Sequence, residues 1–485
     1  MLSNRGERRV AVPAARRMLR SLRRAMPFAL LTMLFAGLSA ACAQSQPHTL
    51  AYGRGKSITL SLPAQFDINV AATGIRRARF FAQSPDGRTF VTSMYSIADN
   101  RLGSVWILDG WNPETHTFSR NVRYLGHLHN PNSIAFWTDP TTRQTWLYVA
   151  LTEKLVRYAY HAGDKAPTGA AETLIRFPDY GLNYKYGGWH LTRTVAVSEV
   201  GNTTRIFVSV GSSCNYCQER EAVRASIVSM DPDGGHAKIV AQGMRNAVDL
   251  QYVANADGGG LFATDMGDDH LGDKLPDDIF FKIDTSADNP VNYGWPACYF
   301  AKGKATLDST PLPSMHDPAF HAHTDAPLLS NEDSVYGEQR GVAAAGTNLA
   351  ARGGHARGPY PNADLGQPPA PLRSCAGVPP PYAVLAAHSA PLGFAYFPQK
   401  DSLLRGSFLV ALHGASSLAV GTGYRVVRLV GSEHRPEDFL TGFMTVKNGK
   451  PTVHGRPCGI FRTGSDSFLI TDDYLGLVYF VHPRR

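Results

Sequence analysis

The feature that most constrains this chain is a strand unit that recurs six times. A short apolar strand is followed by a turn, a second strand, a gap and a third strand. First strands read at residues 79–82, 133–136, 194–197, 248–252, 392–396 and 459–461. Second strands read at 89–92, 146–150, 206–210, 261–264, 408–411 and 468–471, and third strands at 105–108, 155–158, 226–230, 279–283, 424–429 and 477–481. They are rich in Val, Ile, Phe and Tyr, which suit a pleated, half-buried surface. The first unit joins its first two strands through Ser84-Pro-Asp-Gly87, where Asp and Gly tolerate the positive φ of a tight hairpin. One unit cannot bury both of its faces. Six packed around an axis can, and they leave only short, protected edges. The pattern predicts an all-β fold, a six-bladed β-propeller, with the strand at residues 58–62 placed to close the ring.

One interval breaks the spacing. Between the first strands of units four and five the chain carries an excess, about residues 295–382, dense in Pro, Gly, Ala and His. Loops this long are functional or structureless, and it reads as a long inserted loop between blades four and five, lying over one face. Cys298 and Cys375 bracket it and are placed to close it with a disulfide, leaving Cys458 unpaired and buried. Cys214 and Cys217 form an isolated C-x-x-C followed by Gln218. With no second pair and no His next to it, zinc-ribbon and haem-attachment readings fall away; a local disulfide stiffening a loop is the leading reading and a redox role the alternative.

The formal charge of +8 does not indicate a nucleic-acid partner. Residues 1–43 hold eight Arg and one Glu, so +7 of it lies in this leader and +1 in the rest; phosphate binding needs a clustered excess of Lys and Arg. The leader continues into a short apolar run at 28–38 and small residues at 39–43, the anatomy of a secretory signal. The run is too short to span a bilayer comfortably. Ala41-Cys42-Ala43 fits cleavage after residue 43 and an exported, periplasmic protein. A lipid tether at Cys42 is the alternative, with Ser39 standing where Leu is usual. Export permits disulfides.

The sequence contains no G-x-S-x-G, H-E-x-x-H, G-x-x-x-x-G-K-[ST] or strand-linked G-x-G-x-x-G, which speaks against the serine hydrolase, zincin, NTPase and dinucleotide-binding classes. What remains is polar residues at the start of first strands or the end of second strands. These ends line the mouth of a propeller's channel. His190 follows Gly187, Gly188 and Trp189 and is a candidate general base. Arg245, with Asn246, offers a charged fork for carboxylate or quinone oxygens. The run Asp265, Met266, Gly267, Asp268, Asp269, with Asp273, Asp277 and Asp278, is rich in oxygen donors suited to a hard cation such as Ca²⁺. It lacks EF-hand spacing. His413 and Arg456 hold the equivalent places in units five and six.

Taken together these residues resemble the glucose/sorbosone dehydrogenase family, the soluble quinoprotein propellers that use pyrroloquinoline quinone (PQQ). The similar stretches include Trp189-His190 with Arg193, Ser-Ser-Cys-Asn-Tyr-Cys at 212–217, Gly-Met-Arg-Asn at 243–246, the acidic run at 265–278, Asn-Tyr-Gly-Trp-Pro at 292–296, His388 to Gly393, Gly423 to Arg428 and Asp438 to Phe443. The likeness runs from about residue 66 to the C-terminus. Its cysteine and Trp-Pro strings are closer to the sorbosone dehydrogenase-like branch. The resemblance implies a sugar or sugar-derived aldehyde as substrate, PQQ and Ca²⁺ as cofactors, and an external electron acceptor. It makes His190 the base that takes the hydroxyl proton, Arg245 the group polarising the quinone oxygen, and Asn246 a further cofactor contact. Gly267 and Asp268 would hold Ca²⁺ through main-chain carbonyls, and Arg456 would meet a PQQ carboxylate. The chain departs from the family at Ala247, where Pro is usual, at Ser212, where an acid orients the histidine, and at His413, where a cofactor-binding Lys is expected. A non-redox ligand-binding propeller and a Ca²⁺-dependent lactonase-like hydrolase compete with this reading. A redox enzyme requires both His190 and cationic groups around one pocket, and Arg245 and Arg456 are expected on opposite sides of it with His190 between them.

Overall fold

Six antiparallel sheets, each with its inner strand against a common axis, are what the repeat builds. The structure, a computed structural model, describes residues 45–178, 190–200, 203–219, 221–312 and 365–484. The leader, Cys42, Gly187, Gly188, Trp189 and residues 313–364 of the long loop lie outside the described residues.

From the axis outward, blade one begins Ala78–Gln83, Thr89–Ser93, Gly103–Asn112, and blade two Ser133–Thr138, Thr145–Leu151, Lys154–Tyr160. Blade three begins Arg193–Val200, Thr203–Val210, Ser226–Met230, and blade four Ala247–Val253, Gly260–Asp265, Asp278–Ile283. Blade five begins Pro391–Phe397, Ser407–Leu412, Arg425–Val430, and blade six Pro457–Arg462, Phe468–Asp472, Leu477–Pro483. These eighteen strands contain the predicted ones, except that Tyr424 lies just outside its strand with φ of 56°. The predicted turn is present too: Gly87 has φ of 82° and its N–H donates to the Ser84 carbonyl.

Second strands are legible because they are buried on both sides. Thr89–Ser93, Ser407–Leu412 and Phe468–Asp472 are buried at every residue. Each is sandwiched between neighbouring blades, and the core is accordingly six apolar slabs, one per blade interface. Inner strands touch in chain order and the sixth touches the first, which closes the ring.

The closing strand is Phe66–Ala72, paired antiparallel with Leu477–Pro483, and not residues 58–62. The outer strand of one blade must hand over to the next inner strand through a short link, and Phe66–Ala72 is five residues from Ala78. Ser57–Pro63 instead forms a hairpin with Ser45–Ala51. Its Ile58, Leu60 and Leu62 pack into the slab between blades five and six.

The long excursion sits inside blade four's own strand order. The chain leaves after Asp278–Ile283 and returns as the outer strand, Ala383–Leu385. On the way, Val291–Asn292 adds a parallel edge to blade three and Cys298–Ala301 pairs with Lys304–Leu307. Disulfides join Cys214 to Cys217 and Cys298 to Cys375, and Cys458 is free and buried. No helix among the described residues is long and apolar enough to cross a membrane.

Candidate active site

The far ends of all six inner strands line one cavity of about 480 Å³. Their near ends therefore share the opposite face, which carries the polar residues singled out in the sequence. His190 lies three residues before the inner strand of blade three, Arg245 and Asn246 immediately before that of blade four, and Arg456 immediately before that of blade six. His413 follows the second strand of blade five. Between the two faces Phe80, Val248, Leu392 and Cys458 meet on the axis with Met266 against them. Beside this plug, Asn132 accepts a hydrogen bond from Arg79 and donates to Thr194. The mouth is thus a recess floored by packed side chains, which excludes water from below.

A left-handed residue precedes several inner strands: Arg77 (φ 52°), Asn130 (φ 41°), His190 (φ 47°) and Ala390 (φ 52°). Non-glycine residues take this conformation at a cost of about 1 kcal/mol or more, so the turn geometry is imposed by the strand entrance. At His190 it is reinforced by buried Arg193, whose Nη1 donates to the His190 carbonyl at 2.7 Å.

The His190 ring has a defined tautomer. Nδ1 lies 2.8 Å from Ser212 Oγ and 3.1 Å from the Ser212 carbonyl. The Ser212 hydroxyl donates its own proton to the Cys214 carbonyl at 2.6 Å. Its oxygen therefore accepts from Nδ1–H, and the ring's lone pair is on Nε2. Burial, then the Arg245 charge, push the His190 pKa well below 6.5, so the ring is a neutral base at pH 7. Ser212 stands where the family resemblance calls for an acid and orients the ring without adding charge.

Arg245 is buried and held on three sides. Nε donates to the Asn215 carbonyl at 2.9 Å, Nη2 to Asn215 Oδ1 at 2.7 Å and to Asp269 at 3.3 Å, and Nη1 to the Met266 carbonyl at 3.4 Å. One N–H on Nη1 is left over. Asn246 is also buried; its N–H donates to Asp265 at 2.7 Å, and its Oδ1 has no partner. Gly211 makes room here: a Cβ on it would stand 2.6 Å from His190 Cβ and 2.7 Å from Asn246 Oδ1. A glycine cradle, an orphaned buried acceptor and an unclaimed guanidinium N–H beside a neutral imidazole fit a bound molecule that supplies a donor and an oxygen acceptor.

The acidic run does not form a carboxylate cage. Asp265 accepts from Asn246 N–H, and Asp278 from Gly267 N–H at 2.9 Å and Ala390 N–H at 2.8 Å. Asp269 lies 3.2 Å from His388 Nδ1, and Asp277 accepts from Gly303 N–H at 2.8 Å. The Asp268 carboxylate is 2.8 Å from His270 Nδ1, while His270 Nε2 is 2.8 Å from Asp308. Burial raises Asp265 to about 7 and Asp278 to about 6. Among the described residues, the group of three potential metal-binding side chains whose donors converge is Cys214, Cys217 and Glu219, and its sulfurs are spent in a disulfide.

Arg456 and His413 belong to a buried relay. His413 Nε2 donates to Asp473 at 2.8 Å, and Arg456 Nη1 meets His413 Nδ1 at 3.3 Å. Burial lowers the His413 pKa, so it is a neutral group where a lysine was expected. Arg456 also donates to the Gly414 carbonyl at 3.1 Å, the Ala415 carbonyl at 3.4 Å and Tyr424 Oη at 3.1 Å. Its terminal N–H groups are thus committed to protein, and it acts at the mouth as a charge and not as an open fork. Around the ring the order is His190, Arg245 with Asn246, His413, Arg456. Arg245, and not His190, lies in the middle; His190 and Arg456 occupy opposite blades.

Sequence reasoning did not single out Asn215 as a partner, nor Asp473 and His270. Asn215 lies within the C-x-x-C, and Asp473 sits just past a second strand, the position that identified His413.

No family model matches the chain, and no curated protein does. Solved structures do. The holo form of the pyranose dehydrogenase PQQ domain from Coprinopsis cinerea aligns with TM-score 0.59 at 15% identity, over 90% of this chain and 98% of that one. The iodide and calcium structures of a Trichoderma reesei protein of Carbohydrate-Active Enzymes Family AA12 align with TM-scores of 0.57 and 0.56 at 15% and 16% identity, each over 87% of this chain and over 97% and 96% of theirs. The chain has the fold of these proteins.

Proposed function

We propose that the chain is a PQQ-dependent dehydrogenase that oxidises a sugar or sugar-derived aldehyde and passes electrons to an external acceptor. The observation that carries this reading is the neutral His190, its Nδ1 committed to Ser212, on the blade next to Arg245 and the orphaned Asn246 Oδ1. The likeness in fold to the holo form of the pyranose dehydrogenase PQQ domain from Coprinopsis cinerea supports it.

In this reading His190 takes the substrate hydroxyl proton at Nε2, which its neutral, oriented ring is prepared to do. Arg245 places its unclaimed N–H and its charge against the oxygen that gains charge as the substrate is oxidised. Asn246 Oδ1 accepts from the bound molecule. Arg456 contributes positive charge across the recess. The axial plug keeps water from competing. When bound, PQQ supplies an electrophilic quinone carbon that accepts hydride. Ca²⁺ would be held by the carbonyls of Gly267 and Asp268, and the calcium structure of the Trichoderma reesei protein is compatible with such an ion. The two disulfides support export to an oxidising compartment, which is the fate the leader at residues 1–43 implies.

The test is reconstitution. Purified protein is incubated with PQQ and Ca²⁺, desalted, and assayed with aldoses and sugar aldehydes by reduction of an electron-accepting dye. Retained quinone absorbance and sugar-dependent dye reduction are expected. Protein that keeps no quinone and reduces no dye is a binding propeller or a hydrolase.

A further inference from the structure

The disulfide loop Cys214–Cys217 lies outside the chemistry assigned so far, yet both reacting groups are fastened to it. Its first carbonyl, Cys214, accepts from the Ser212 hydroxyl that fixes His190. Its second residue, Asn215, accepts from Arg245 twice, through its carbonyl at 2.9 Å and its side chain at 2.7 Å. The same Asn215 Oδ1 accepts the Asp269 N–H at 2.9 Å, and Trp295 Nε1 reaches its carbonyl at 3.3 Å. The loop is pinned from the other side too. Buried Glu219 accepts from Ser213 N–H at 2.6 Å and from Ser213 Oγ at 2.7 Å, and both cysteines are fully buried beside Trp295. Four residues therefore tie blade three's histidine, blade four's arginine and blade four's acidic loop to one covalently closed ring of atoms.

We infer that the Cys214–Cys217 loop is the positioning element of the site, with Asn215 as the positioning residue that sets Arg245 against His190 and holds the acidic loop. The inference rests on the dehydrogenase reading for its effect on turnover, and on geometry alone for the placement. A side chain displaced by about 1 Å costs on the order of 10²-fold in rate, so a positioning role has a turnover signature separate from binding.

Two variants test it: Asn215→Ala, which removes only the side-chain acceptor, and the double variant Cys214→Ser with Cys217→Ser, which opens the loop. For Asn215→Ala in the PQQ- and Ca²⁺-loaded enzyme, kcat falls by about 10²-fold with sugar KM little changed, and Asn215→Asp, which keeps the acceptor, recovers most of the loss. In protein without cofactor, the Asp269 N–H loses its acceptor and exchanges with solvent faster in Asn215→Ala. In the opened-loop variant, imidazole ¹⁵N shifts report His190 leaving the pure Nδ1–H tautomer. Wild-type kcat, unchanged Asp269 exchange and an unchanged His190 tautomer in folded variants overturn the inference. If the opened loop does not fold, Asn215→Ala decides alone. If the wild-type protein oxidises no sugar with PQQ, the functional reading fails, while the exchange and tautomer measurements still decide the placement.

Discussion

Asp473 gives the sharpest quantitative test of the site's construction. Its carboxylate is fully buried, 3.0 Å from Arg79 Nη1, 3.8 Å from Arg77 Nη1 and 2.8 Å from His413 Nε2. Arg77 and Arg79 are themselves only 2% and 5% exposed. His413, and after it Arg77 and Arg79, hold the carboxyl far below the usual carboxylate range despite its burial. In Asp473→Ala the buried Arg79 guanidinium loses the carboxylate it binds at 3.0 Å, Arg77 loses the one it faces at 3.8 Å, and His413 loses the acceptor that fixes its tautomer. Two charge-assisted hydrogen bonds at about 1.5–3 kcal/mol each, and the known cost of breaking one side of a buried ion pair, agree on a loss of about 3–5 kcal/mol. Asp438 provides the control. Its pair with Arg425 is just as short, at 2.9 Å, but the two side chains are 53% and 38% exposed, so Asp438→Ala should cost less than about 1 kcal/mol. Urea unfolding of both variants, followed by tryptophan fluorescence, measures the difference. If the two variants lie within about 1 kcal/mol of each other, burial is not what gives the Asp473 cluster its weight, and its description as a buried counter-charge fails.

Four further outcomes follow. His190→Ala should lower dye-linked turnover by on the order of 10²–10⁴ with no change in the melting curve, and activity within threefold of wild type removes it from the mechanism. Because burial and Arg245 depress His190, the acid limb of the pH–activity profile should lie below pH 6.5; the same depression makes stability fall as pH drops below 6.5, since the unfolded ring protonates first. Ca²⁺ should raise the melting temperature relative to EDTA, by about 2.7 kcal/mol of stability at a hundredfold excess over Kd, and identical melts refute the ion. Arg245→Ala should hurt turnover more than PQQ affinity, and Arg456→Ala the reverse; because the Arg456 terminal N–H groups are already spent on His413, Gly414, Ala415 and Tyr424, its effect on affinity should be that of a lost charge, shrinking as salt is added.

How much of this was legible depends on where a residue sits in its blade. Second strands such as Phe468–Asp472 are buried on both faces and write a continuous apolar run into the sequence. Outer strands do not. Arg435–Leu440 is exposed at three of its six residues, and in Thr117–Leu128 only Tyr124 and Leu128 are buried. They pair through backbone hydrogen bonds that any side chain permits, so five outer strands and the true closing strand went unread. The acidic run misled for a related reason. Side chains adjacent in sequence suggested one ion cage, but a loop at a strand end turns successive residues in different directions, and Asp265, Asp269, Asp277 and Asp278 each meet a different donor.

The site shows the same division between position and partnership. His190, Arg245, His413 and Arg456 were found because a strand end is a local property that hydrophobic patterning marks. Their partners are set by the ring. Arg79 and Asp473 are 394 residues apart in sequence and 3.0 Å apart in the fold, joined because the sixth blade closes on the first. Arg79 reads as an ordinary strand residue until the blade that closes beside it is known. Asn215 is the exception that shows what a local signal can do: it lies inside a short cysteine-bounded string, and such a string forces its inner residue to a fixed place on the rim. A motif of that kind carries spatial information because the covalent ring removes the freedom that, at Asp473, only the assembled propeller removes.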